Sequence, residues 1–365
     1  MAKFFVVVPL RFEDLALEEL KQKIQVHGLV IDSVLLQSGG IEIETAESTG
    51  FFLNYVLKIP TRILLRMESF KVKDFTKFEK KLSQITWNNW CDYGQVVWKV
   101  ESHGSRLFHK KNISKICERV FEKYRVGQPL KKQALSHVQN IFIRLVDDIC
   151  QISVDTSGEA LYKRGYKKFI SKAPIRENIA AGLLWYLSES LNGSLFDPMC
   201  GSGTFLLEAC QMHRPNFYRS YSFEFFRGVK KQRVQEMFQA EKEKGLKLFG
   251  ADIDSVQIQN TRNNFLNIEY DGVELFSQDA FSIQGRNVDI VVVNPPYGER
   301  IKPIIAFTKL IQTLLKELKP HSLGIIVPKK YYPPNEKVGA YSLDKTLSFK
   351  NGGLAVKFLV FKITD

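Results

Sequence analysis

The chain lacks most of the features that mark a membrane, secreted or metal-dependent protein. Nowhere in its 365 residues does an apolar run approach the roughly 18–20 residues needed to cross a bilayer. The opening stretch, Lys3-Phe-Phe-Val-Val-Val-Pro-Leu10, is too short for a signal-peptide core and reads as a cytosolic strand. Cysteine is scarce: Cys91, Cys117, Cys150, Cys200 and Cys210 are odd in number and scattered. No two have metal-ligand or redox spacing, so reduced thiols in a cytoplasmic protein are expected. The six histidines are equally dispersed, and no metal site is predicted. One further absence bears on ligand chemistry. The glycine turn at Gly201 and Gly203 is not followed by Gly-Lys-[Ser/Thr], which excludes the lysine and metal-binding hydroxyl of a P-loop nucleotidase.

Acidic residues are also in the minority, 39 Asp+Glu against 52 Lys+Arg, for a net charge of +13. The excess is uneven. Residues 1–66 hold 7 Lys+Arg and 8 Asp+Glu, residues 67–175 hold 21 and 11, and the remainder holds 24 and 20. A basic block in one segment beside a second, α/β segment points to a polyanionic partner. Its candidate phosphate contacts are Arg106, Lys110 and Lys111, then Lys131 and Lys132, then Lys163, Arg164, Lys167 and Lys168 at its carboxyl end. Such contacts weaken with salt and carry little sequence specificity.

Hydrophobic periodicity gives a strand at 3–10, a helix at 14–26, strands at 30–37 and 40–44, a helix capped by Thr45 or Ser48 and running to about 57, and a strand at 63–70. This β-α-β-β-α-β order suits a small ferredoxin-like unit. A helix from 74 to 85, a strand at 95–100, a helix at 114–124 and strands at 141–145 and 149–154 follow, with Asp155 to Gly158 as a turn. A long helix is expected from Ala173-Pro174 to about 191, with the proline in its first turn. Thereafter strands at 195, 247–251, 273–278, 289–293 and 323–327 alternate with helices at about 204–213, 228–243, 255–267 and 304–319. That alternation argues a parallel sheet covered on both faces. Lys350-Asn-Gly-Gly353 between two apolar runs adds a terminal hairpin.

Two stretches carry the chemistry. Leu195-Phe-Asp-Pro-Met-Cys-Gly-Ser-Gly-Thr-Phe205 reads as a buried strand that ends in a glycine turn and opens a helix, so a ligand can approach the backbone without meeting a Cβ. Ile290-Val-Val-Val-Asn-Pro-Pro-Tyr-Gly-Glu-Arg300 is a second buried strand, stopped by two prolines that hold an amide, backbone carbonyls and an aromatic ring at the sheet's mouth.

Together these stretches resemble the signature of S-adenosylmethionine-dependent amino methyltransferases. With Val154-Asp-Thr-Ser-Gly-Glu-Ala-Leu-Tyr-Lys-Arg-Gly-Tyr166, the chain is similar nearly end to end to the bacterial THUMP-domain RNA guanine-N2 methyltransferases, in their ribosomal, amino-terminal-half type. The resemblance implies an α/β fold. It would have a Rossmann-like class I methyltransferase sheet with a C-terminal antiparallel hairpin in residues 166–365, after α+β ferredoxin-like (1–66) and THUMP RNA-binding (67–165) domains. It implies S-adenosylmethionine as cofactor, with Asp197 toward the methionine ammonium at the Gly201/Gly203 turn. Asp252 would take the ribose hydroxyls, Asp279 the adenine amine, and Arg176 and Asn178 the methionine end. Asn294, Pro295, Pro296 and Tyr297 would hold the acceptor amine. No histidine or lysine sits in that motif as a general base. The implied partner is RNA, large-subunit ribosomal RNA before tRNA, with no membrane. A DNA adenine-N6 methyltransferase, a protein glutamine methyltransferase and a non-catalytic RNA-binding factor are the alternatives. The resemblance of the amino-terminal 165 residues to an RNA-binding module argues against the first, the basic segment against the second, and the intact set of site residues against the third.

Overall fold

A computed structural model describes residues 1–87, 89–90, 95–125, 138–171, 174–187, 193–240, 245–296, 303–331 and 336–364. Lys131, Lys132 and Tyr297 lie outside the described residues. The chain divides into two compact units. One comprises Met1–Val8, Glu19–Leu161 and Arg219–Gln239, the other Pro9–Glu18, Tyr162–Tyr218 and Ala240–Asp365.

In the first unit β1 (Ala2–Val7), β2 (Ile31–Gln37), β3 (Gly40–Thr45) and β4 (Arg62–Lys71) carry the expected β-branched and aromatic residues, with α2 (Glu47–Val56) and, from Glu19 on, α1 (Glu13–His27) between them. Neither expected cap is used at α2. Ala46 occupies the N-cap with no side-chain bond, and the Thr45 hydroxyl donates instead to the Val30 carbonyl at 2.6 Å. Next come α3 (Phe75–Leu82), capped by Asp74 through the Lys77 amide, then β5 (Gln95–His103), α4 (Lys110–Arg125), β6 (Val138–Val146) and β7 (Ile149–Asp155). All seven strands form one sheet in the order β2-β3-β1-β4-β7-β6-β5. Every pairing is antiparallel except β5 with β6. Because β4 pairs with β7, residues 1–66 and 67–165 share that sheet. Phe78, Trp87, Ile113, Phe121, Ile141 and Ile152 fill the core beneath α3 and α4.

Asp155 is more than a turn residue. It is fully buried at the end of β7 and takes the Arg62 guanidinium and the Ser157 amide. Burial raises its carboxyl pKa, and Arg62 opposes the rise.

The helix expected at 228–243 shrinks to α7 (Lys231–Gln235), and its segment, Arg219–Gln239, belongs to the first unit. Aromatic and polar contacts tie that segment to the first unit. Phe223 stacks on Phe51 of α2 with centroids 5.1 Å apart, and Tyr221 meets Tyr55 edge-on at 5.0 Å. The Arg219 guanidinium donates to the carbonyls of Ser157, Glu159 and Ala160 at 2.7–2.8 Å. Glu224 accepts from the Tyr55 hydroxyl and pairs with Lys231.

The second unit is built on α5 (Glu177–Leu187), β8 (Ser194–Asp197), α6 (Thr204–Gln211), β9 (Lys247–Asp252), α8 (Ser255–Leu266), β10 (Val273–Ser277), β11 (Ile290–Val293), α9 (Pro303–Leu318) and β12 (Ser322–Pro328). The short β13 (Lys337–Val338), β14 (Tyr341–Asn351) and β15 (Leu354–Ile363) close it. Its sheet runs β10-β9-β8-β11-β12-β15-β14-β13, parallel from β10 to β12 and antiparallel beyond. The four residues of β11 are all buried, as a strand covered on both faces requires. α5 starts at Glu177, so Pro174 and Arg176 precede it, and the Arg176 carbonyl accepts the first helical amide, from Ala180 at 3.0 Å.

Candidate active site

The strand order reverses direction between β8 and β11, which pair directly through Leu195↔Ile290 and Phe196↔Val291. Ligands of open α/β sheets bind at the carboxyl ends of strands flanking such a switch point. The two chemistry-bearing stretches thus end side by side. Asp197 terminates β8 and Asn294 follows β11.

The glycine turn is tied down on three sides. The Cys200 amide donates to the Ala251 carbonyl at 2.8 Å, the Gly201 amide to Asp252 Oδ2 at 2.9 Å, and the Gly203 amide to the Cys200 carbonyl at 2.8 Å. Gly203 sits at φ 81°, and a Cβ there would come within 2.7 Å of Thr261 Cγ2, so both conformation and space demand glycine. Gly201 has φ 52°, but an added Cβ would meet nothing nearer than Ser171 Oγ at 3.7 Å.

The carboxylates differ in what remains of them. Asp197 is buried and accepts from the Met199 amide at 3.1 Å. Burial pushes its carboxyl up to about 8; the Asp252 carboxylate adds to the rise and the Met199 amide opposes it. Asp252 is half-buried and accepts from the Gly201 and Asp254 amides. A carboxylate offers about four lone-pair sites, so about two are left over. Asp254, the other acid at this strand end, is the N-cap of α8 and accepts from the Val256 amide at 2.9 Å. Asp279 lies just beyond β10, where one oxygen accepts from the Phe281 amide at 2.9 Å. Asn294 is half-buried, Pro295 buried and Pro296 exposed, with trans peptide bonds throughout. Asn178 is buried in the first turn of α5, while Arg176 is exposed with its guanidinium 5.5 Å from the Tyr162 ring centre.

Two of the cations read as phosphate contacts are turned inward. Arg164 forms a buried bidentate pair with Glu208 of α6, at 3.1 and 2.8 Å, and Tyr166 donates to the same carboxylate. Lys167, with its side chain 4% exposed, pairs with Glu177 at 3.1 Å and donates to Thr204 Oγ1 at 2.6 Å. An ammonium buried in this way cannot also reach a phosphate. Lys163 and Lys168 stay exposed, as do Arg106, Lys110 and Lys111 in the first unit.

Sequence reasoning passed over the residues that hold the glycine turn from behind. Thr261 donates to the Gly201 carbonyl at 2.7 Å. Asn264, one turn further along α8 and 0% exposed, accepts from the Lys168 and Phe169 amides and donates to the Phe169 and Ser202 carbonyls. The available signal was the buried stripe Ile258, Thr261, Asn264, Phe265, which puts polar side chains on a helix's inward face.

The sheet order, the glycine turn and the amide-proline loop at the switch point define the fold of a class I methyltransferase. Residues 164–328 match the model of the RMKL-like methyltransferase domain. The chain is 27% identical over 391 residues to a ribosomal RNA large subunit methyltransferase K/L of Pseudomonas putida, covering 99% of this chain and 52% of that protein. It therefore spans about half the length of the curated relatives it matches. Among solved structures, a possible methylase from Clostridium difficile 630 superposes with a TM-score of 0.82 at 26% identity, covering 100% of this chain and 98% of that one. SMU.472, a methyltransferase crystallised with S-adenosylhomocysteine, has the same fold, with a TM-score of 0.82 at 23% identity and the same coverage.

S-adenosylmethionine is the methyl donor of such a domain. The residues present suit it: a buried acid at a strand end, an open glycine turn beside it, and two further carboxylates with lone pairs to spare. Among the described residues no group of His, Cys, Asp and Glu could hold a metal ion, and no helix is long and apolar enough to cross a membrane.

Proposed function

We propose that this chain methylates the exocyclic N2 of a guanosine in large-subunit ribosomal RNA, as a cytoplasmic enzyme. The observation that carries the reading is the pairing of β8 with β11, which sets the Asp197 turn beside the Asn294 loop. The ribosomal RNA named for the K/L relatives, and the basic residues of segment 67–175, support RNA as the substrate. In the same proposal β1 to β4, in the order β2-β3-β1-β4, form the ferredoxin-like part. The strands and helices from 67 to 165 form the THUMP part, where Arg106, Lys110 and Lys111 would meet phosphate.

When bound, the cofactor supplies a methyl group activated by its sulfonium charge, so the protein's task is to place and align the amine. Asn294 Oδ1 and the Pro295 carbonyl would accept the two N–H bonds of the base amine. That draws its nitrogen toward tetrahedral geometry and aims the lone pair. Tyr297 would stack on the base, a role proposed from the sequence motif alone. The surplus proton would leave the amine for water or a backbone carbonyl. The adenosyl end would rest on Asp252 and Asp279, and the methionine end on Asp197, Arg176 and Asn178.

Labelled S-adenosylmethionine incubated with unmodified large-subunit ribosomal RNA, tRNA or duplex DNA, followed by digestion, tests the proposal. N2-methylguanosine in ribosomal RNA is expected. The same nucleoside in tRNA alone would move the substrate, and N6-methyladenine in DNA would sink the reading.

A second expectation follows from Asp197. Its carboxyl ionises near 3.8 in the unfolded chain and near 8 in the folded one. Its contribution to stability is therefore complete below about 3.8 and is lost as pH rises toward about 8. A cofactor ammonium placed against it favours the ionised form. At pH 7, S-adenosylhomocysteine binding should release about half a proton or more. Calorimetric enthalpies measured in phosphate and in Tris should then differ accordingly, and equal values would remove Asp197 from the ammonium site.

A further inference from the structure

The segment from Arg164 to Ser171 is a strap laced onto the glycine turn. Its Lys168 and Phe169 amides both donate to Asn264 Oδ1 at 3.0 Å, and the Phe169 carbonyl accepts from Asn264 Nδ2 at 2.8 Å. The same Asn264 Nδ2 reaches the Ser202 carbonyl at 3.1 Å, and the Ser171 amide points at Ser202 Oγ at 3.4 Å. Upstream, Arg164 and Tyr166 are fixed by Glu208, and the Tyr166 carbonyl accepts from Asn267. This backbone is held rigidly within a few ångströms of the loop proposed to hold the cofactor.

Yet the strap presents large apolar side chains to solvent. Phe169 is 40% exposed and Ile170 63%, beside the exposed ammonium of Lys168. The part of the Phe169 residue left in solvent adds nothing to folding stability. A ligand gains from it, because the side chains are already placed and little ordering remains to be done on binding. An aromatic ring and an aliphatic side chain flanked by a cation suit a nucleobase attached to a phosphate. Aromatic side chains that interleave with basic ones bind unpaired bases by stacking.

We propose that Lys168, Phe169 and Ile170 form a ledge for an unpaired nucleotide next to the one methylated. Phe169 stacks on the base, Ile170 flanks it and Lys168 takes the phosphate. The ledge rests on the RNA reading given above and adds a residue-level contact to it. A base splayed from its helix leaves a neighbour unstacked, and an aromatic ring fixed next to the glycine turn would replace part of the lost stacking.

The test uses the full chain with an in-vitro transcribed, unmodified large-subunit ribosomal RNA. Binding is measured by filter retention across a salt series, alongside S-adenosylhomocysteine binding by calorimetry. Phe169→Ala is expected to weaken RNA binding about tenfold without changing the slope of log affinity against log salt. Lys168→Ala should weaken binding and shrink that slope by about 0.7–0.9, one phosphate's worth. Phe169→Trp should keep the affinity, and its emission should be quenched by the RNA. All three should bind S-adenosylhomocysteine as the wild type does. An F169A protein within twofold of wild type for RNA would overturn the ledge alone. So would an altered S-adenosylhomocysteine affinity, since the ring would then be structural, or a changed sedimentation coefficient, since the face would then meet protein. A wild-type chain that binds S-adenosylhomocysteine but not the transcript would overturn the RNA reading and the ledge with it.

Discussion

Asn294→Ala should lower kcat by about 10²–10³-fold while leaving S-adenosylhomocysteine affinity within about twofold. The size follows from what one aligned hydrogen-bond partner contributes when charge and geometry change only at the reacting nitrogen. The selectivity for turnover follows from position. β11 is buried along its length and paired on one side with β8 and on the other with β12, so the backbone at 294 is set by the sheet and not by its own side chain. Truncating that half-buried amide removes little packing. Steady-state assays with the methylated nucleoside as product, and calorimetry with S-adenosylhomocysteine, separate the two quantities. A kcat within tenfold of wild type would mean that the acceptor amine is held elsewhere.

The other large effect is expected at Asn264. Its carboxamide uses both N–H donors and two acceptor sites in bonds of 2.8–3.1 Å, all on backbone groups of the strap and the glycine turn. Asn264→Ala leaves two amides and two carbonyls without those partners. Each such buried group costs about 1–3 kcal/mol, less whatever local water recovers, so a loss of about 3–5 kcal/mol is expected. In a unit of this size that lowers the melting temperature by on the order of 10 °C. Asn264→Asp should not rescue it, because a carboxylate would face the Phe169 and Ser202 carbonyls. The glycine turn should also loosen, so S-adenosylhomocysteine affinity should fall with stability. A thermal shift under about 2 °C would show that the strap is held by other contacts.

The sequence was most informative where a local rule coincided with the tertiary demand. β8 carries Leu195 and Phe196 and β11 is four β-branched apolar residues, and the prolines that follow each cannot continue a strand. Their pattern is the same read from sequence or from coordinates. Charge was harder to read. Lys163, Arg164, Lys167 and Lys168 look alike along the chain, but Arg164 meets a carboxylate 44 residues away and Lys167 a hydroxyl 37 residues away. Nothing local distinguishes them from their exposed neighbours. The helix expected at 228–243 is only Lys231–Gln235, and nothing in the sequence signalled that Tyr221, Phe223 and Phe226, just before it, bury themselves against aromatic rings near residue 50. Thr261 and Asn264 were visible as polar residues on an apolar stripe, but the stripe alone does not say that a loop lies behind it.

The seating of Arg219–Gln239 in the first unit has a consequence for how the protein is made. As the chain leaves the ribosome, Phe51 and Tyr55 emerge long before the aromatic residues that cover them. The stretch from Tyr162 to Gln239 must be synthesised first, which at about 5–20 residues per second takes several seconds. Throughout that interval the nascent chain displays an incomplete aromatic face. Segments of the second unit appear before the first is finished, and the first can close once Gln239 has emerged, while the second still waits for Ala240–Asp365. A chain cut at Leu161 would lack its own cover, and one begun at Tyr162 would carry Tyr221 and Phe223 with nowhere to lodge.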